Sequence, residues 1–302
     1  MQDVETASLL AVLLFFIVVF FFSIERYLNS RYKFNYTPNT KKFKNEPLSF
    51  KNRFIIHLVC LIPIILGFLI PVLFIINNVI YEFSRIDFIK VFNLTTNTVI
   101  ISLIATLIIL VIAVYFQFLK RILKNKTITF FNEVISLTYA LPGAVIGLSL
   151  ILLFTSYPFE NELLIGSFGI LVYAYVIRYM AVGISPLKSS FDKHPSSYDD
   201  TAFNLGMGPT KLFRSIHLPI NKSAIAIAFL ITFVDIIKEL PITLILRPFN
   251  FDTLAVQTYE YAIEEMIPKS SIYSLAIVML GTILLIFLKK IVNKEINVPK
   301  SK

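Results

Sequence analysis

Apolar residues in this chain run in long unbroken stretches rather than at the spacing of half-buried strands or surface helices. Leu9 to Phe22 contains no charged residue at all. A hydrocarbon core of about 30 Å calls for roughly 20 residues of apolar helix. Seven stretches come near or beyond that length: 8–24, 54–80, 94–116, 130–155, 163–185, 222–247 and 271–288. The pattern predicts an all-α polytopic membrane protein with about seven transmembrane helices. Pro63 and Pro71, Pro142, and Pro241 fall inside three of them. Each removes a backbone donor, so helix breaks are expected there, tolerated where neighbouring helices or a wet cavity satisfy the freed carbonyls. Before the first stretch stand Asp3 and Glu5 with no basic residue, and no small-residue cleavage site follows, which argues against a secretory signal.

The polar segments between the stretches alternate in charge. Residues 25–53 carry Arg26, Arg31, Lys33, Lys41, Lys42, Lys44, Lys51 and Arg53, whereas the next connection has only Arg85 and Lys90. Lys120, Arg121, Lys124 and Lys126 follow the third stretch, and the segment after the fourth has no basic residue. The 186–222 loop is basic, the 248–270 loop is acidic, and the carboxyl tail is basic again. By the positive-inside rule the amino terminus is outside and the carboxyl terminus inside. Composition agrees: 56% of residues are hydrophobic and 16% charged, against about 25% charged in soluble proteins. The net charge of +9 thus reads as basic cytoplasmic loops rather than as a nucleic-acid surface. The single cysteine, Cys60, excludes an intrachain disulfide, and His57, His194 and His217 have no metal-ligand spacing.

The 186–222 loop has an order of its own. Asp200-Thr201-Ala202 is followed by three residues, Gly206, nine residues, and Ile216-His217-Leu218-Pro219. Tyr198 to Leu205 and Thr210 to His217 read as short helices, with Gly206, Gly208 and Pro209 as the turn between them. Leu212, Phe213 and Ile216 form an apolar stripe on the second helix, and in water that stripe needs a partner to cover it.

This spacing resembles the EAA loop of ABC importer permeases, Glu-Ala-Ala, three residues, Gly, nine residues, Ile-x-Leu-Pro, with Asp and Thr as mild departures. The resemblance implies a cytoplasmic coupling helix, in a loop of about 190–220, that docks into a groove of an ATPase subunit. Its residues would be Asp200, Thr201, Ala202, Leu205, Gly206, Leu212, Phe213, Ile216, Leu218 and Pro219. Lys238-Glu239-Leu240-Pro241, Thr243, Leu246-Arg247-Pro248-Phe249, Phe251 to Ala255 and Tyr259-Glu260 are similar to the signature of ferric-iron permeases, as are Tyr139 to Gly143 and Arg178-Tyr179. The implied architecture is a six-helix permease domain over 54–302, with residues 1–53 as an extra transmembrane helix and a basic linker. Permeases of that subfamily are commonly fused duplicates of twelve spans with two EAA loops. One loop and seven spans match the last helix of a first half and a whole second half: a fragment, a split gene, or a half that pairs with a separate chain or with a second copy of itself.

Charges at bilayer depth cost about 2.5–3.5 kcal/mol each on insertion scales, so each needs a reason. Asp235, Lys238 and Glu239 share one helical face just before Pro241. Broken helices with charges at the break recur in transport paths and gates. Two roles are open: lining the path, with Lys238 neutralised by Asp235 or Glu239, or fixing helix packing. Glu133 and Arg178 lie at comparable depths and are expected to pair, mainly as a structural contact; snorkelling of Arg178 is the alternative. Asp252, Tyr259 and Glu260 are the expected contacts for an extracytoplasmic binding protein, and Tyr259 and Tyr261 also suit an interfacial aromatic belt.

The function these features imply is the permease subunit of an ATP-driven importer, with ferric iron as cargo ahead of thiamine, polyamines or another ion. No Gly-x4-Gly-Lys-Ser/Thr run is present, so ATP and Mg belong on a partner subunit and no cofactor, metal or catalytic residue is expected on this chain. The expected partners are that ATPase, a binding protein, a second permease half and the inner-membrane bilayer. A gradient-driven transporter using Asp235, Lys238 and Glu239 is the alternative; it leaves the loop of Asp200 to Pro219 unexplained. A membrane enzyme ranks third.

Overall fold

The computed structural model describes residues 49–123, 125–155 and 166–296, with scattered positions between Thr6 and Leu28. The span expected at 8–24 lies largely outside the described residues. Eleven helices account for nearly all the rest: α1 Phe50–Arg85, α2 Phe88–Leu123, α3 Lys126–Thr138, α4 Gly143–Thr155, α5 Phe168–Lys193, α6 Ser197–Asn204, α7 Pro209–Ile220, α8 Lys222–Ile237, α9 Pro241–Leu246, α10 Leu254–Ile263 and α11 Ile267–Ile296. Among the described residues, α1, α2, α5 and α11 are each long and apolar enough to cross a membrane. The bent pairs α3–α4 and α7–α8 bring the total to six if each is one span.

The core is built on α2, α5 and α8. In α2 the buried positions Thr98, Ser102, Ala105, Ile109, Ala113 and Gln117 recur every three or four residues, one face of a helix. That face meets Leu171, Ala174, Tyr175, Ile184 and Leu187 of α5, and Ala228 and Ile236 of α8. Small residues set the approach: a Cβ on Gly183 would lie 2.6 Å from Ile109 Cγ2, so the α2–α5 crossing has room only for hydrogen there. In lipid, where chain and solvent are equally apolar, such close packing is what holds helices together.

The prolines act differently from one another. Pro63 sits inside α1 and Pro71 at the restart after the π-turn Ile65–Leu69, so the helix absorbs both without breaking. Around Pro142 the expected single span divides into α3 and α4, bent by 111°. Before Pro241, α8 ends at Ile237 and α9 begins at the proline itself. The inner ends of α2, α5 and α8 meet at the basic elbow α6–α7. The outer ends of α2 and α5 meet the 247–254 segment, where Thr98 Oγ1 accepts from Leu254 N at 2.9 Å and Phe168 packs edge-on to Phe251. This arrangement places basic and acidic loops at opposite ends, as the charge alternation requires.

Candidate functional site

The elbow folds from signals visible in its sequence. Asp199 and Asp200 lie in the first turn of α6, where carboxylates complement the helix dipole. Gly206 ends it with φ +75°, and Met207 N returns to Ala202 O at 2.9 Å, a left-handed cap that glycine adopts without a Cβ penalty. Pro209 then opens α7 at its first position. The expected apolar stripe is present, but its partner is this chain itself. Leu212 and Ala202 are buried against Phe118 and Phe191, with Phe213 and Ile216 packed beside them. The expectation that another protein covers this stripe is corrected: Phe118 of α2 and Phe191 of α5 cover it. The large apolar side chains that the elbow leaves exposed are Tyr198, Phe203 and Leu205, the last 77% accessible. Asp200, Thr201, Gly206 and Pro219 are exposed as well, and Leu218 is half-buried.

Beneath the elbow a carboxylate absent from the motif organises four helices. Asp199 is buried and accepts from Arg121 Nε at 2.6 Å. Its other oxygen is 2.8 Å from His217 Nε2. Arg121 also donates to the carbonyls of Phe191 at 2.6 Å, His194 at 2.9 Å and Pro195 at 2.7 Å. One guanidinium thus satisfies the carbonyls that end α5 while holding α6 to α2. The His217 ring stacks on Phe191 at 5.5 Å and meets Phe118 edge-on. Burial pushes the His217 pKa below 6.5, against the raising effect of Asp199. His194 is lowered too, by burial and then by the charges of Arg121 and Lys193.

A second buried carboxylate sits at the intramembrane break. Glu239 lies past the end of α8, receives the Tyr179 hydroxyl and Ile242 N (3.1 Å), and pairs with Arg178 Nε at 3.5 Å. Arg178 donates in turn to Leu141 O at 2.9 Å, so one side chain of α5 reaches both helix breaks. Space is tight: a Cβ on Gly143 would stand 2.7 Å from Arg178 and 2.8 Å from Glu239. Thr243 donates to Glu239 O at 3.0 Å and lies 2.5 Å from the Tyr175 hydroxyl.

Two expectations change here. Arg178 takes Glu239 as its acidic partner rather than Glu133, because the break swings residue 239 across to α5. Asp235, Lys238 and Glu239 do not act on one face, since the helix stops at Ile237. Lys238 pairs with Asp235 at 2.8 Å, and Asp235 also receives the Tyr139 hydroxyl at 3.4 Å. Asp235 lines a cavity of about 460 Å³ between α3, α5 and α8, together with Ser136, Tyr139, Ser185 and Lys188. Among the described residues no three His, Cys, Asp or Glu side chains gather as a metal cage.

At the outer end, Arg247 holds both Asp252 and Glu260, the latter at 2.8 Å, so two of the three expected binding-protein contacts also brace their own loop. Tyr259 is exposed, as is Phe249 at 94%. Tyr261 stacks on Tyr273, with Lys90 over its ring. Sequence reasoning missed Arg121, Asp199 and Tyr179 as site residues. The signal for Arg121 was its place four residues after Gln117, on the buried stripe of α2.

Residues 123–298 match the family described as binding-protein-dependent transport system inner membrane component. The chain is 26% identical over 204 residues to the Fe(3+)-transport system permease protein FbpB 2 of Haemophilus influenzae, covering 68% of this chain and 40% of that protein. It is 32% identical over 94 residues to the maltose/maltodextrin transport system permease protein MalG of Escherichia coli K12, 31% of each chain. These matches take in less than half the length of either relative. The chain belongs to the family of binding-protein-dependent transport system inner membrane components and is multi-pass, with four to six candidate spans among the described residues.

Proposed function

We propose that this chain carries ferric iron, delivered by an extracytoplasmic binding protein, across the inner membrane in concert with a separate ATPase and a second permease half. The observation that carries the coupling part is the exposure of Tyr198, Phe203 and Leu205 on an elbow whose apolar stripe is buried in the chain's own helices. Three large apolar side chains exposed on one short elbow suit a protein-binding surface. The likeness to a permease named for Fe(3+) transport supports the cargo. ATP closes the partner subunit, and its differential affinity for two states is what shifts the permease between outward and inward access. Asp235 and Lys238 neutralise each other at 2.8 Å, which favours a passage lined by paired charges over a gradient-driven ion site.

Radiolabelled ferric iron uptake in cells lacking the chain and re-expressing it tests the reading. Uptake is expected to return with the chain and to vanish on ATP depletion. Uptake that survives ATP depletion would contradict the ATP-driven mechanism, and restored ATP-dependent uptake of another cargo but not iron would replace the cargo.

A further inference from the structure

The elbow is joined to the membrane helices by the chain at both of its ends and by one non-covalent clamp. The chain enters it from α5 through His194–Ser196 and leaves it from α7 into α8 through a 70° bend at Asn221. The non-covalent route runs through Asp199 to Arg121, with three carbonyl bonds and the Phe118–His217–Phe191 ring cluster around it. Arg121 is one of two basic residues in the last turn of α2, a helix of 36 residues without a proline. From Arg121 to Thr98 is about 35 Å of unbroken helix at 1.5 Å per residue. At that far end Thr98 Oγ1 holds Leu254 N at 2.9 Å, buried, and Asn97 holds Asp252 O at 3.2 Å. One rigid element therefore has its inner end bound to the elbow and its outer end bound to the 247–254 segment.

We propose that α2 is the connecting rod between the cytoplasmic elbow and the outer loop, with Asp199 and His217 as positioning residues at one end and Thr98 at the other. Motion imposed on the elbow moves α2 through the Arg121–Asp199 clamp and reaches the outer segment through the Thr98 hydroxyl. The reverse holds for a load applied outside, because coupling between two sites is reciprocal. This inference rests on the elbow being the ATPase contact.

The test uses the full chain assembled with its ATPase and second permease half in liposomes, with the binding protein added. ATPase copurification, basal hydrolysis and binding-protein-stimulated hydrolysis are read separately. Thr98→Val keeps the side-chain shape and loses the hydroxyl; Thr98→Ser keeps the hydroxyl. His217→Phe keeps the ring stack and loses the bond to Asp199; His217→Gln keeps a donor. Thr98→Val and His217→Phe are expected to lower stimulation about tenfold, the scale of one lost buried hydrogen bond, with copurification and basal hydrolysis intact. Thr98→Ser and His217→Gln are expected to stay near wild type. Full stimulation in Thr98→Val and His217→Phe would overturn the rod, as would equal losses in all four variants, which mark a packing role alone. If the wild-type chain recovers no ATPase, the functional reading itself fails and the rod falls with it.

Discussion

Two buried carboxylates in this molecule are each held by an arginine that also binds main-chain carbonyls, and they differ in how completely. Asp199 at the elbow has a charge-assisted bond of 2.6 Å from Arg121, which also donates to three carbonyls at and just past the end of α5. Glu239 at the membrane break has its Arg178 contact at 3.5 Å, and Arg178 Nε makes no hydrogen bond. Both centres join elements distant in sequence, but the arginine of the elbow centre is the more fully bonded. A saturated network resists deformation, while an under-satisfied one in low dielectric can exchange partners at small cost. The comparison separates a rigid transmitting end, at the cytoplasmic surface, from a deformable junction between α3–α4 and α8–α9 inside the bilayer.

The largest expected effect comes from stranding the membrane carboxylate. Arg178→Met leaves Glu239 buried without its cation, at a cost of about 3–5 kcal/mol. The variant should fail to accumulate in membranes, and Arg178→Met combined with Glu239→Gln should recover most of the loss. Membrane yield and thermal unfolding in detergent measure both; a single variant as stable as wild type would mean that the pair does not secure the break. The same change at the elbow, Arg121→Met, should cost less, about 1–3 kcal/mol, because Asp199 retains His217 and lies near water. A larger loss at the elbow than at the break would reverse the comparison.

The smallest effect is a pH slope at the elbow. The folded-state pKa of His217 is depressed below 6.5 by burial, so below that pH the unfolded chain binds a proton that the folded chain refuses. Stability from the neutral ring is therefore full above pH 6.5 and declines as pH falls through the window beneath it. Detergent melting curves should lose this slope in His217→Gln, whereas an unchanged slope would place the titrating group elsewhere.

Much of this was legible in the sequence, and the misses have physical causes. Apolar run length gave α1, α2, α5 and α11 because a spanning helix must bury its own backbone bonds. Gly206, Gly208 and Pro209 gave the elbow because caps and turns are local. What covers Leu212 and Phe213 was not legible, since Phe118 and Phe191 come from elsewhere in the chain. Asp199 stood beside the motif residue Asp200, and nothing local tells which of the two turns inward. The Arg178–Glu239 pair spans the chain from the middle of α5 to a break, and helical periodicity carried past Ile237 put Glu239 on the wrong face.

The central claim is that the elbow's exposed face, rather than its apolar stripe, meets the ATPase. Cysteine cross-linking tests it most directly in a Cys60→Ser chain, which removes the only native thiol. Leu205→Cys is expected to cross-link to the ATPase in the assembled complex, and Leu212→Cys, fully buried under α2 and α5, is expected not to. Cross-linking from position 212 but not from 205 would contradict the account.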